Sequence, residues 1–297
     1  MASDASNSSS SSFILVGFPG LEAFPTCLGV LFCSAYVLAL VGNGAVLLVT
    51  GLDKSLRAPC HRLLAMLAAV DVLMVTAVVP KLLGVLWLNS AEMGYVACFV
   101  QMFLVHSATS AESGLLLAMA IDRYVAICHP LRYHSILSAR AMAQMGLAIV
   151  LRALLFMVPL MGWDVRPTAA RAWCPTRTAT WPPPPHLGAT GLQRRVYGSI
   201  LRAVLGRGAL RRALSTCGCH LCVVLLFYLP GIVSVYAQHL GSAVPAPARV
   251  LLADLYLALP AALNPLVYSG RTRPVKQIQE GTLRLLGQLA GLRLTSC

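Results

Sequence analysis

The chain has 297 residues, 58% of them hydrophobic and 11% charged, with a formal net charge of +13. Soluble globular domains carry about 25% charged residues, so a water-soluble fold is excluded, and the length leaves room for one membrane domain and little else. The positive charge invites a nucleic-acid partner, but its distribution argues against one. Its Lys and Arg residues lie in short segments between apolar blocks, as at Lys54, Arg57 and Arg62, whereas DNA or RNA requires a water-exposed basic face.

In chain order, the first dozen residues are Ser-rich and lack a basic n-region. They read as a tail, not a cleaved signal peptide, and the first apolar block then acts as its own insertion signal. Asn7-Ser8-Ser9 is the only N-x-[ST] sequon, which makes Asn7 a glycosylation candidate if residues 1–25 are an extracellular tail. Apolar blocks follow at about 26–50, 63–86, 97–121, 141–163, 217–237 and 250–268, the last interrupted by Asp254 and two prolines. Each has about the 20 residues that a helix needs to cross a hydrocarbon layer of about 30 Å. No alternation suggests a barrel, and helices are the remaining way to satisfy backbone groups in lipid. The expected fold class is therefore an all-α membrane protein.

Charge sets the orientation. The first tail has no Lys or Arg and the first loop has three, so the N-terminus is expected outside. Arg123, Arg132 and Arg140 then fall inside, and the loop around Glu92 falls outside. Arg207, Arg211 and Arg212 precede the block at 217, and Arg271, Arg273 and Lys276 follow the last one. Both clusters belong inside, which demands one more crossing between 164 and 216. No apolar block supplies it. Residues 164–195 form an irregular Pro/Arg-rich stretch containing Pro182-Pro183-Pro184-Pro185, which no helix interior accepts. Residues 196–216 align Val196, Tyr197, Ile200, Leu201, Val204 and Leu205 on one face but are interrupted by arginines. A central Arg costs about 2.5–3.5 kcal/mol on insertion scales, so this stretch reads as a basic amphipathic cytoplasmic segment. Topology asks for seven spans and the sequence supplies six, in the order 26–163 for four and 217–268 for two, with 269–297 as a cytoplasmic tail.

Ten cysteines form no disulfide scaffold: Cys33, Cys217, Cys219 and Cys222 sit in or beside apolar blocks, where a thiol behaves as a small apolar group. Cys217-Gly218-Cys219-His220 lacks zinc spacing and a second ligand pair, so no metal is expected there.

The third block ends in Met119-Ala120-Ile121-Asp122-Arg123-Tyr124-Val125-Ala126-Ile127-Cys128-His129-Pro130. Together with Gly42-Asn43, Leu67-Ala68-Ala69-Val70-Asp71, Pro130-Leu131-Arg132-Tyr133, Ala213-Leu214-Ser215-Thr216-Cys217 with His220, and Asn264-Pro265-Leu266-Val267-Tyr268, the chain resembles the rhodopsin-like odorant receptors. Phe18-Pro19-Gly20-Leu21-Glu22 resembles their class I, or fish-like, branch. The resemblance covers nearly everything except residues 164–195. It implies a seven-transmembrane receptor-type helix bundle, here with six clear spans and a degenerate fifth.

It also implies roles. Asp122, Arg123 and Tyr124, with Asn264, Pro265 and Tyr268, correspond to the switch that couples to a heterotrimeric G protein, here expected to be stimulatory and to raise cAMP. Asn43, Asp71 and Asn264 correspond to a polar network linked to a sodium ion, with no other cofactor implied. Met102, Phe103 and His106 fall on the outer half of the third span, where the family binds a small volatile or acidic odorant; a His facing a bundle is also a common packing residue. The resemblance pairs Cys98 with Cys174 in a disulfide, compatible with the oxidising space outside the cell. Independently, a mid-span carboxylate such as Asp71 is costly and usually functional, and Pro265 permits a kink. Arg152 interrupts the fourth span, and the sequence names no partner for it.

Departures stand beside the matches. Pro59-Cys60-His61 replaces the family's usual Pro-Met-Tyr, Cys219 replaces a Ser, and the body of the fifth helix is missing. The expected function is a plasma-membrane, multi-pass odorant receptor. The alternative is a non-signalling remnant retained in the endoplasmic reticulum. A channel or transporter lacks inverted repeats or a charged pore ring, and no assembled nucleophile or acid–base constellation points to an enzyme.

Overall fold

A computed structural model describes residues 12–14, 25–52, 58–163, 195, 198, 210–240 and 243–269. Six long helices carry it: α1 (Pro25–Leu52), α2 (Pro59–Leu88), α3 (Tyr95–Cys128), α5 (Ala139–Trp163), α6 (Leu210–His239) and α7 (Ala246–Ser269), with α4 a single turn at Tyr133–Ile136. Each apolar block lies inside one of them. The helices outrun the blocks because hydrogen bonding continues past the hydrocarbon boundary, as in α3, which passes through Asp122 and Arg123 to Cys128. Five are long and apolar enough to cross a membrane by themselves. The α5 stretch 139–155 passes together with the turn before it, across a 64° bend.

Local chemistry sets the ends. Pro59 opens α2, where its missing N–H is no loss. Asn89 closes α2 in the left-handed region at φ 50°, a conformation Asn tolerates, and its N–H bonds to the Gly84 carbonyl. Prolines inside helices mark α2 (Pro80), α6 (Pro230) and α7 (Pro260, Pro265).

α3 is the hub. It packs on α2, α5 and α6, while α1 packs on α2 and α7. One core gathers Leu67, Leu115, Leu116, Ile149, Val223 and Phe227 around α3, and a second gathers Phe32, Val75, Val79 and Ala261 between α1, α2 and α7. α5 leans on α3, and no extended seam joins it to α6 among the described residues. The outward faces stay apolar, as at Leu48, Leu147, Leu155, Leu225 and Leu229, which suits lipid rather than water.

Residues Ser12–Ile14 form β1, antiparallel to β2 (Glu92–Gly94), with Phe13 opposite Met93. Lys81 Nζ reinforces that corner by donating to the carbonyls of Ser90 at 2.7 Å and Glu92 at 2.6 Å. The tail and the α2–α3 loop therefore share one end of the bundle. Residues 164–194, most of 196–209, and the tails that hold Asn7 and 270–297 lie outside the described residues.

Candidate functional site

At one end of α3, Asp122 is buried at 1% exposure and accepts from two donors. Arg123 Nη2 lies 2.5 Å from Oδ2, and the Tyr133 hydroxyl donates to Oδ1 at 2.6 Å. Both carboxylate oxygens are thus engaged, one by a charge and one by a phenol. Tyr133 stands on the short turn after α3, and burial and the neighbouring Asp122 carboxylate push its phenol above the ordinary tyrosine range. It therefore stays a proton donor at physiological pH. Tyr124 packs edge-on against His129. Across the core, Tyr268 of α7 is buried with its hydroxyl 4.0 Å from Met119 Sδ on α3. Cys60 Sγ and His61 Nδ1, the substituted pair at the start of α2, lie 3.8 Å apart.

Deeper in the bundle sits a polar network. Asn264 Nδ2 donates to Asp71 Oδ2 at 3.0 Å, linking α7 to α2. Asn43 does not reach Asp71: its amide donates to the carbonyls of Ala39 at 2.9 Å and Ala261 at 2.8 Å, tying α1 to α7 instead. Glu112 of α3, to which the sequence attached no role, belongs here. It is buried at 1% exposure and interacts electrostatically with Asp71 and Asn264. Asp71 Oδ1, Asn264 Oδ1 and Glu112 Oε1 are all buried acceptors without a hydrogen-bond donor among the described residues. Two carboxylates and an amide oxygen are hard ligands of the type a small cation takes; among the described residues no three His, Cys, Asp or Glu cluster as a metal site.

An olfactory receptor family model matches residues 32–167 and 193–288. The chain is 40% identical to human olfactory receptor 52I1 over 91% of its own length and 90% of that protein's. It is 37% identical to human olfactory receptor 51T1 over 91% and 90% respectively. The chain belongs to the olfactory receptor family. These are G-protein-coupled receptors built on a seven-transmembrane helix bundle.

The family match breaks between 167 and 193, within the stretch where the sequence lacks a seventh apolar block. The alignment with olfactory receptor 52I1 runs over 297 positions but uses only 91% of this 297-residue chain, so about 27 positions of that relative have no counterpart here.

On this olfactory receptor chain, Met102, Phe103 and His106 are half-buried on α3. The described cavity, about 900 Å³, lies on another side of α3, between Ala77 and Lys81 of α2 and Val96, Val100, Gln101 and Leu104. It does not gather the three expected ligand residues. Cys98 is buried and disulfide-bonded, and its expected partner, Cys174, is outside the described residues. Cys33, Cys217, Cys219 and Cys222 are not in disulfides.

Arg152 now has partners. Its Nη2 donates to the Ser110 carbonyl and, at 3.1 Å, to Ser113 Oγ, crossing from α5 to α3. It passes beside Gly114, where a Cβ would lie 3.1 Å from Nη2. Ser110 and Ser113 are ordinary residues in a span, and only the helix packing shows them as the arginine's acceptors.

Proposed function

We propose that the chain is an odorant receptor that takes a small volatile or acidic odorant within the bundle and activates a stimulatory heterotrimeric G protein, raising cAMP. The observation that carries the reading is the buried Asp122, gripped by Arg123 and braced by Tyr133, at the end of the helix on which the bundle turns. The pair holds the resting state. An odorant that binds the active arrangement more tightly shifts the population toward a freed Arg123, which meets the G protein together with Tyr124. Asn264, Pro265 and Tyr268 supply the moving partner: α7 carries two internal prolines and abuts α3 through Tyr268 and Met119.

Met102, Phe103 and His106 are the proposed odorant contacts. A sodium ion at Asp71, with Glu112 and Asn264 beside it and Asn43 positioning α7, steadies the resting state. The receptor is placed in the plasma membrane with its N-terminus outside, Asn7 glycosylated, Cys98 bonded to Cys174, and residues 269–297 in the cytoplasm.

The test is expression with an N-terminal tag, staining of unpermeabilised cells, and cAMP measurement against an odorant panel. Surface staining with a dose-dependent response supports the receptor; retention and silence under all conditions sink it. The missing positions, about 27 relative to olfactory receptor 52I1, favour a second reading, a retained remnant that does not signal. The same assay separates the two.

A further inference from the structure

Lys81 is a charge without a counter-charge among the described residues. Its Nζ donates to two backbone carbonyls, those of Ser90 at 2.7 Å and Glu92 at 2.6 Å, and an ammonium has three N–H donors. Carbonyls accept hydrogen bonds but do not neutralise a cation. Glu92 contributes its carbonyl, not its carboxylate, and the ion pair among the described residues is Asp122 with Arg123. Lys81 stands about 10 Å before the end of α2 at Leu88, and its side chain reaches on to the α2–α3 loop. A long basic side chain in a span carries its charge to the membrane surface in this way.

That side chain also lines the cavity of about 900 Å³ between α2 and α3. Ala77 and Lys81 form one wall, at a spacing that places them on one face of α2, and Val96, Val100 and Leu104 repeat that spacing along α3. Gln101 Nε2 donates to the Ala77 carbonyl at 2.8 Å, tying the two walls together. Met93 and Gly94 of β2 line the end next to the loop. Val96 is 72% exposed and Val100 47%, so the cavity opens sideways, where the other outward faces of the bundle meet lipid. From Val96 to Leu104 the α3 wall runs about 12 Å, most of the depth of one leaflet of a hydrocarbon layer about 30 Å thick.

Polarity along that depth selects the occupant. A lone cation stands at surface level, apolar walls lie below it, and the opening faces the bilayer. A phosphate on Lys81 would gain a charge-assisted hydrogen bond, whereas a headgroup that also carries a cation would set like charges side by side. We propose that the α2–α3 cavity is a site for an anionic phospholipid, with the phosphate on Lys81 and one acyl chain along Val96, Val100 and Leu104. The lipid fills the seam between the two helices from the membrane side. It does not compete with a ligand inside the bundle, so the site stands whether or not the chain responds to an odorant.

Photoaffinity labelling of the full chain in phosphatidylcholine nanodiscs tests it. Traces of phosphatidylglycerol or phosphatidylcholine carry the same diazirine-tagged acyl chain, and the labelled positions are read by mass spectrometry. Phosphatidylglycerol labels residues 93–104 about fivefold over the exposed α5 face of Leu147, Leu151 and Leu155, the ratio expected of one basic side chain at a lipid surface. Phosphatidylcholine labels the two stretches alike. Lys81→Gln removes the phosphatidylglycerol preference and Lys81→Arg retains it. Val100→Trp fills the mouth of the cavity from an exposed position and lowers phosphatidylglycerol labelling to the α5 level; it is the deciding variant if Lys81→Gln, having lost its ties to the loop, does not fold. Equal labelling of the two stretches by phosphatidylglycerol in the parent chain overturns the site. A preference that survives Val100→Trp, or one that survives Lys81→Gln, overturns it as well.

Discussion

Both oxygens of Asp122 have identified donors, and each donor can be removed separately. Tyr133→Phe deletes the hydrogen bond to Oδ1 and leaves the contact with Arg123 intact. A hydrogen bond to a charged group is worth about 1.5–3 kcal/mol. The variant is expected to unfold earlier by that amount and to show raised basal cAMP, since Asp122 is then less firmly placed. The network around Asp71 gives a second expectation. If sodium steadies it, replacing sodium with choline lowers the unfolding midpoint of the parent chain, and Asp71→Asn or Glu112→Gln makes the midpoint insensitive to that exchange. An unchanged sodium effect in both variants removes the ion from this site. Adjacency made Asp122 and Arg123 readable in the sequence. Tyr133 was visible only as part of a motif, because a 3-10 turn brings it back onto Asp122 and no periodicity encodes that return. Glu112 was not legible as a partner of Asp71, since its neighbours come from α2 and α7.

Among the helices, close approach is concentrated at a few glycines, and the atom each one faces decides what a methyl group would do. Gly231→Ala on α6 would put Cβ 2.8 Å from Cε2 of Tyr256 on α7. A packed ring cannot retreat far, so a loss of about 1–3 kcal/mol is expected in thermal unfolding. Gly146→Ala on α5 meets the terminal methyl of Met66 at 2.7 Å; a flexible thioether moves aside, and the cost stays under about 1 kcal/mol. If the two variants unfold alike, packing is not what distinguishes these seams. The helices themselves were largely legible because apolar runs of the length a bilayer requires leave few alternatives. Their ends were less so: α6 begins at Leu210, ahead of its apolar block, because arginines can continue a helix into water where they cannot continue a span. The β1–β2 pairing was not legible, since three residues in a polar tail carry no pattern.

For the whole molecule, what stands out is that the described residues supply six long helices. α5 relies on α3 for its packing, with no extended seam to α6 among the described residues. Inserting the roughly 27 positions that olfactory receptor 52I1 has and this chain lacks is expected to increase surface staining severalfold over the parent chain. No gain would mean that the shortfall does not limit assembly. A C-terminal tag should be protected in unpermeabilised cells, as the basic residues after α7 require; an exposed tag would mean an even number of crossings. Charge in the loops asks for an odd count, and the missing apolar block emerges only by comparing what the loops demand with what the spans provide.

The pairing of β1 with β2 has a consequence for sugar. Asn7 precedes the first paired residue, Ser12, by five positions, a reach of about 17 Å even when fully extended. A glycan on Asn7 would therefore be tethered within about 17 Å of Ser12, and so beside the start of α3, which Gly94 immediately precedes. It would shade that corner of the bundle like an awning.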